Sequence, residues 1–435
     1  MSAIHEIQEI NVGLLGLGVV GGGVAATLLD QSLGISKNVG LPVNLKKVLV
    51  RDSNKSRDSS VPAGLITTNP ADILADPSIH IVVEVIGGTE PAAQYLKDAL
   101  YCGKHVVTAN KEAMAKFGPE LLDLARQNGV NLLFEASVGG GIPIVGSLMS
   151  QLLANEIQSI RGIINGTTNY ILTRMAYEHT DFDQALAEAQ QQGFAEADPT
   201  NDVEGFDAVY KLSILASLAF HQRVSPDGIY RQGIANLQPQ DFRYAQELGY
   251  AIKSLAVATL EQNDIRARVY PALVPADHML AKVDGVYNAV EVTGSLCGQV
   301  LFHGRGAGRG PTTSAVMGDL IEIGRRLHIN EPPVPVTESG SVFGVQPIDD
   351  LETQYYIRLN VADQAGVLAQ ISRILGDRSI SIASVLQKDT FPEEQKAELV
   401  ITTHPAKDAS VQEALRLVAQ LDVVKQVSNM LRIEG

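Results

Sequence analysis

The chain has 435 residues, 45% of them hydrophobic and 19% charged, a composition that supports about three domains and excludes disordered or fibrous classes. Its net charge of -15 opposes the phosphate attraction behind nonspecific binding, so nucleic acid and membrane surfaces are not expected partners. Cys102 and Cys297 form no CxxC or Cys/His grouping, which excludes a disulfide framework and a thiolate zinc site and fits a reducing cytoplasm.

Residues 1–10 carry two glutamates and no basic region, unlike a secretory signal, so a cytosolic, complete chain is expected. Residues 12–29 and 136–155 are uncharged runs of membrane-spanning length, but the first holds six glycines and the second holds Gly139, Gly140, Gly141 and Pro143. Neither can form a continuous apolar helix. Between residues 10 and 135 the pattern predicts strands at 13–15, 48–50, 81–86, 105–108 and 131–134, with helices at 20–30, 91–102 and 111–127. This βαβ rhythm predicts a parallel sheet covered on both faces, in an α/β domain of residues 1–140 completed by about 305–330. Residues 34–42 read as a loop added before the second strand. From 141 to 330 helices come first, among them 203–220 and 313–327, with strands at 266–273 and 286–292, predicting an α+β domain. Residues 331–352, beginning EPPVPVTESG, lack an apolar period and read as a linker. Residues 353–435 follow the order βαββαβ: strand 355–361, helix 366–375 capped by Asp363, strands 380–386 and 397–403, helix 409–421 and strand 423–433. That order is the ferredoxin-like split unit.

Gly16-Leu17-Gly18-Val19-Val20-Gly21 follows an apolar strand and opens a helix, the context in which GxGxxG points to a dinucleotide. Gly16 permits the tight turn, Gly18 lets the backbone approach the pyrophosphate, and Gly21 packs helix on strand. The N–H groups of Val19, Val20 and the following turn face the anion. A tight turn without a ligand is the alternative. At the end of the second strand Arg51 can pair with a 2′-phosphate and Asp52 with a ribose hydroxyl; Arg51 tips the reading to NADP(H), with NAD(H) possible. Gly87, Gly88 and Thr89 follow the strand 81–86, and Lys111 follows the strand 105–108, so both segments belong at the carboxyl ends of strands, where ligands bind. A lysine in a helix's first turn is disfavoured by the dipole unless something else rewards it.

The stretch from Gly193 to Asp202 packs three carboxylates, Glu196, Asp198 and Asp202, before the helix 203–220. Over 206–220 only Asp207, Tyr210 and Lys211 depart from apolar or small neutral residues, so this helix is predicted to be buried on most sides. Asp207 and Lys211 are spaced i,i+4 and share a face, either as a structural ion pair or as a lysine tuned for proton transfer.

Ala189-x3-Gly193-Phe194-Ala195-x2-Asp198-Pro199-x2-Asp202-Val203-x-Gly205-x-Asp207-x3-Lys211 resembles the signature of the homoserine dehydrogenase family. GLGVVGGGV, VIGGTEPA, TANKE, EASVGGGIPI, INGTTNYIL and GRGAGRGPTTSAV are similar to family segments and stand in family order, over roughly residues 10–330. The resemblance implies reversible hydride transfer between NAD(P)H and the C4 carbonyl of L-aspartate 4-semialdehyde, giving L-homoserine. It assigns Lys211 as acid/base, Lys111 as a second cation and Asp207 as their orienting partner. Glu196 would hold the substrate ammonium, with Gly166, Thr167 and Asp202 completing the pocket; Thr167 competes as N-cap of a helix beginning near Asn169. Gly306, in a run of alternating glycines, would approach the nicotinamide side, while His303 reads as structural. Glu135 with the carbonyls of Val138, Gly140 and Ile142 matches the family's Na⁺ or K⁺ site, a hard-oxygen set; capping of the following helix is the alternative.

With Asp363, Ala365, Gly366 and Val367 at its first turn, the C-terminal unit resembles an ACT domain. That resemblance implies L-threonine as effector and a homodimer or homotetramer, a purely structural dimerisation role being the alternative. The expected fold class is therefore a Rossmann-type α/β domain, an α+β catalytic and dimerisation domain and a ferredoxin-like ACT domain. A decayed nucleotide-binding amino-acid sensor and another semialdehyde reductase are the competing functions.

Overall fold

The computed structural model describes residues 7–55, 61–261, 264–334, 344–387, 390–391 and 396–435. Residues 335–343 of the predicted linker, and the first six residues of the segment compared with a secretory signal, lie outside the described residues. The chain forms two compact units: Met1–Gln158, Tyr210–Pro226 and Val290–Phe343 in one, Ser159–Val209, Asp227–Ala289 and Gly344–Gly435 in the other.

The first unit is built on a six-stranded sheet in the order Ile66–Thr67, Val43–Leu49, Ile10–Leu15, Ile81–Glu84, His105–Thr108, Leu132–Leu133. Every pairing in it is parallel. Parallel strands covered on both faces must be apolar on both sides, and Val12, Leu14, Val48, Ile81, Val83 and Val107 are all buried in one core. Strand order reverses between Ile10–Leu15 and Ile81–Glu84, which puts the ligand crevice of such a sheet beyond Leu15, Glu84 and Thr108. This is a Rossmann-type domain. The helix Arg309–His328 returns to it through Val316, Leu320 and Ile323.

The second unit holds the strands Ile157–Ile163, Tyr250–Glu261, Asp264–Pro275, Val424–Ile433, Glu352–Ala362, Lys396–Thr403 and Ile382–Leu386, in that order across one mixed sheet. The last four are the antiparallel βαββαβ sheet of the ACT domain. Alternation along Glu352–Ala362 explains how this sheet is covered on both sides. Tyr355, Ile357, Leu359 and Val361 pack with the helices Val367–Gly376 and Asp408–Val418, whereas Tyr356 joins Leu431 and Val400 against Tyr170, Leu172 and Phe242 of the α+β domain. Asp264–Pro275 pairs in parallel with Val424–Ile433, so the two domains share a continuous sheet. Arg358, 2% exposed, donates to Asp241 at 2.7 Å and to Glu398 at 2.9 Å, while Asn429 also donates to Asp241, at 2.9 Å.

Several elements depart from expectation. Residues 34–42 are mostly helical, Ser32–Val39, because Ile35 and Val39 at i,i+4 reach the core despite Gly34. The helix expected at 203–220 is two, Thr200–Val203 and Phe206–Phe220, separated by Gly205 at φ 85°. Asp363 does not cap the ACT helix, whose N-cap is Gly366. No described helix is long and apolar enough to cross a membrane.

Candidate active site

The glycine loop is shaped as its spacing requires. Gly16 has φ 104°, and a Cβ on Gly21 would lie 2.1 Å from the Gly16 carbonyl oxygen, so a side chain there would force helix and strand apart. The helix Val19–Asp30 begins at Gly18 with no side-chain cap and no acid in its first turn, leaving its leading N–H groups for an anion. Arg51 and Asp52 are both exposed after the second strand, and Asp52 accepts from the Asn54 amide at 2.8 Å.

Two loops at the strand ends are tied together by Glu84, which the motif analysis did not single out, and by Asn110 of the TANKE segment. Glu84, fully buried, accepts from the Ile86 amide at 2.7 Å, from the Gly87 amide at 3.2 Å and from the Thr108 hydroxyl at 2.5 Å. Burial pushes this carboxyl above its usual range. Asn110 caps the helix Lys111–Gln127 by accepting from the Ala113 amide at 3.0 Å, and donates to the Gly88 carbonyl at 2.7 Å. Gly87, Gly88, Thr89 and the half-buried Lys111 therefore stand on one fixed scaffold, with Thr89 receiving Lys116 and donating to Glu112, each at 3.1 Å. The only sequence signal for Glu84 was an acid inside an otherwise apolar predicted strand, 81–86.

In the second unit Asn165 is the organising residue. It caps the helix Gly166–Glu178 by accepting from the Thr168 amide at 2.8 Å, and donates to Asp202 at 2.7 Å and Asp207 at 2.8 Å. One amide thus draws together two predicted carboxylates 5 positions apart. Thr167 is not the cap; its hydroxyl donates to the Phe194 carbonyl at 2.7 Å, pinning the acidic loop to this helix. Gly166 packs so closely on Val286 that a Cβ would come within 2.9 Å of the Val286 carbonyl oxygen. Glu196 lies exposed on the loop. Asp207 is 4% exposed, and Lys211, which belongs to the first unit, is 8% exposed, so the predicted lysine is buried rather than turned to bulk solvent.

Glu135 accepts from the Val145 amide at 3.0 Å and the Gly146 amide at 2.6 Å, the capping role weighed against cation binding. Its own amide donates to Asp319 at 2.9 Å. Burial raises both carboxyls, Asp319 to about 8, and the nearby Glu135 charge adds to the Asp319 shift. Among the described residues no group of three or more His, Cys, Asp or Glu side chains is arranged to hold a metal ion. Around the ACT helix Asp363, Ala365 and Gly366 are exposed and Val367 is buried, with no side-chain cap or first-turn acid. Gly306 is buried just before Arg309–His328.

Models of the homoserine dehydrogenase NAD-binding domain, of homoserine dehydrogenase itself and of the ACT domain match residues 16–135, 143–321 and 355–423. A homoserine dehydrogenase of Synechocystis is 42% identical, covering 98% of this chain and 100% of that protein. The chain belongs to the homoserine dehydrogenase family. The Bacillus subtilis enzyme is 39% identical over 99% of both chains. The crystal structure of a homoserine dehydrogenase from Thiobacillus denitrificans superposes with a TM-score of 0.92 at 41% identity, over 98% of each chain. A hyperthermophilic archaeal homoserine dehydrogenase solved in complex with NADPH has a TM-score of 0.62 at 28% identity, over 75% of this chain and 100% of that one.

Proposed function

We propose that this enzyme interconverts L-aspartate 4-semialdehyde and L-homoserine, with NADP(H) preferred over NAD(H). Bound nicotinamide supplies the hydride to the C4 carbonyl carbon and accepts it in reverse. As the carbonyl oxygen gains charge, the Lys211 ammonium gives it a proton, and Lys111 steadies the developing negative charge. Asp207, fixed by Asn165, orients Lys211. Glu196 holds the substrate ammonium, and Gly166, Thr167 and Asp202 complete the pocket. Gly16, Gly18, Val19, Val20 and Gly21 hold the pyrophosphate, Gly87, Gly88, Thr89 and Gly306 the nicotinamide half, and Arg51 the 2′-phosphate.

The observation that carries this reading is the burial of Lys211 in an otherwise apolar helix one turn after the buried Asp207, in a chain of this family. A buried charge with no chemical use would be costly to keep. Absorbance at 340 nm on mixing the protein with L-homoserine and NADP⁺ tests it, and Lys211→Ala should depress kcat with the fold retained. A decayed sensor would instead give ligand-dependent thermal shifts without turnover. Arg51→Ala should lower kcat/KM for NADP⁺ and spare NAD⁺.

The same reading extends to regulation and setting. L-threonine would bind the loop at Asp363, Ala365, Gly366 and Val367, beside unpaired helix N–H groups suited to a carboxylate. A monovalent cation, Na⁺ or K⁺, suits the hard oxygens of Glu135, Val138, Gly140 and Ile142 and would offset the cost of burying the Glu135 carboxylate. A homodimer or homotetramer in the cytoplasm is the expected state; the two exposed, free cysteines suit a reducing compartment. We divide the chain functionally into the dinucleotide domain 1–140 with about 305–330, the catalytic domain 141–330, the linker 331–352 and the ACT domain 353–435.

A further inference from the structure

We infer that Arg309 is a pyrophosphate-binding residue for the dinucleotide, an assignment that rests on the cofactor reading above. Arg309 is the first residue of the 20-residue helix Arg309–His328, whose N-cap is Gly308 and whose first turn holds no acid. A cation at that end is opposed by the helix dipole, so its placement calls for an anion nearby. Among the described residues its guanidinium has no hydrogen-bond or ion-pair partner, and the residue is exposed.

Its direction follows from packing. The Arg309 Cγ lies 3.2 Å from the position of a Cβ on Gly23, in the glycine-loop helix Val19–Asp30. At the far end of the same returning helix, Gly324 packs on Ile10, the first residue of the central strand, and His328 packs on Gly40. Arg309–His328 therefore runs the same way as Val19–Asp30, from the carboxyl ends of the strands toward their start. Helical side chains lean toward the N-terminus, so Arg309 leans toward the crevice. From Gly23 the first residue of the glycine-loop helix is about 6 Å away along the axis, within the span of an arginine side chain beyond Cγ. Both helices present leading N–H groups at that end.

A second observation is an unsatisfied buried hydroxyl one turn from Arg309, in the groove that opens beside it. The groove between these helices, about 600 Å³, begins at Arg309 and Gly23 and extends past Thr313, Ala26 and Thr27 to Gln31 and Ile321. Thr313 is 7% exposed, faces the bare Cα of Gly23, and its hydroxyl has no hydrogen-bond partner. A buried hydroxyl without a partner is costly in a groove meant to stay dry.

The test is calorimetric titration of the wild-type protein, Arg309→Ala and Arg309→Lys with NADPH, NADH and ADP-ribose. All three probes share the pyrophosphate, so Arg309→Ala should weaken them by a similar factor, roughly tenfold or more for the loss of a charge-assisted contact. Arg309→Lys, which keeps the charge and loses the bidentate fork, should fall in between. Unchanged affinity for all three probes overturns the assignment, as does a loss confined to NADPH, which would make the 2′-phosphate the partner. A wild-type protein that binds neither NADPH nor NADH would sink the cofactor reading itself, and this assignment with it.

Discussion

Replacing Asn165 separates two roles that share one side chain. Its carbonyl caps the helix Gly166–Glu178 and its amide bridges Asp202 and Asp207. Loss of an N-cap costs about 1 kcal/mol. A hydrogen bond to a charged group contributes about 1.5–3 kcal/mol, and because both bonds come from one amide we take about 3 kcal/mol for the pair. Asn165→Ala should therefore destabilise by about 4 kcal/mol, a fall in Tm of roughly 8 °C or more. Asn165→Asp keeps the capping oxygen but turns the bridge into a third carboxylate facing two others. At pH 7.5 it should melt no higher than Asn165→Ala and have a kcat well below wild type. Toward pH 5 the introduced carboxyl gains a proton and can donate again, so part of the loss should return in Asn165→Asp but not in Asn165→Ala. Melting curves and initial rates at both pH values decide the matter. If Asn165→Asp matches wild type at pH 7.5, the cap is the whole of its contribution and the bridge between the acids does nothing.

Three further outcomes follow from buried or exposed charge. Arg358→Met strands the buried Asp241 and leaves Glu398 with Arg243 at 3.8 Å inside the second unit, and should cost about 3–5 kcal/mol in urea unfolding; an unchanged midpoint would contradict the burial argument. The folded Asp319 carboxyl sits at about 8 against an ordinary 3.8, so the native state holds an extra proton between those values, and its contribution to stability falls as pH rises from about 4 to 8. Asp319→Asn, which can still accept from the Glu135 amide, should flatten that fall when urea midpoints are compared at pH 5, 6.5 and 8; parallel curves for the two proteins would exclude it. Asp363→Ala should raise the L-threonine concentration needed for half-inhibition without changing kcat, and equal inhibition would remove this loop from the effector site. Deleting residues 353–435 is a poorer test, because it strips Tyr356, Leu431 and Ile433 from the core they share with Tyr170 and Phe242.

Local chemistry was legible wherever a residue's role depends on its near neighbours in the chain. The turn at Gly16, the βαβ alternation, the i,i+4 pair Asp207 and Lys211 and the ferredoxin-like order near the C-terminus all follow from spacing, since helical and strand periods place such residues on one face whatever surrounds them. Sequence also led to the carboxylates and lysines of the candidate site, because polar residues in apolar runs stand out. Tertiary structure decided which partner each of them meets. Asn165 lies 37 positions from Asp202, Glu84 is 24 from Thr108, and Asp241 is 117 from Arg358; no local period relates these pairs, so only the closing of the fold brings donor to acceptor. The same holds for the ends of elements. Asp363 had the chemistry of a cap and Thr167 that of another, yet Gly366 and Asn165 took those positions, because cap geometry depends on the backbone path into the helix as well as on the side chain. The ACT sheet could be ordered from its strands alone. That its second face is buried against the α+β domain, with Arg358 sealed inside, was settled by the packing of residues far apart in the chain.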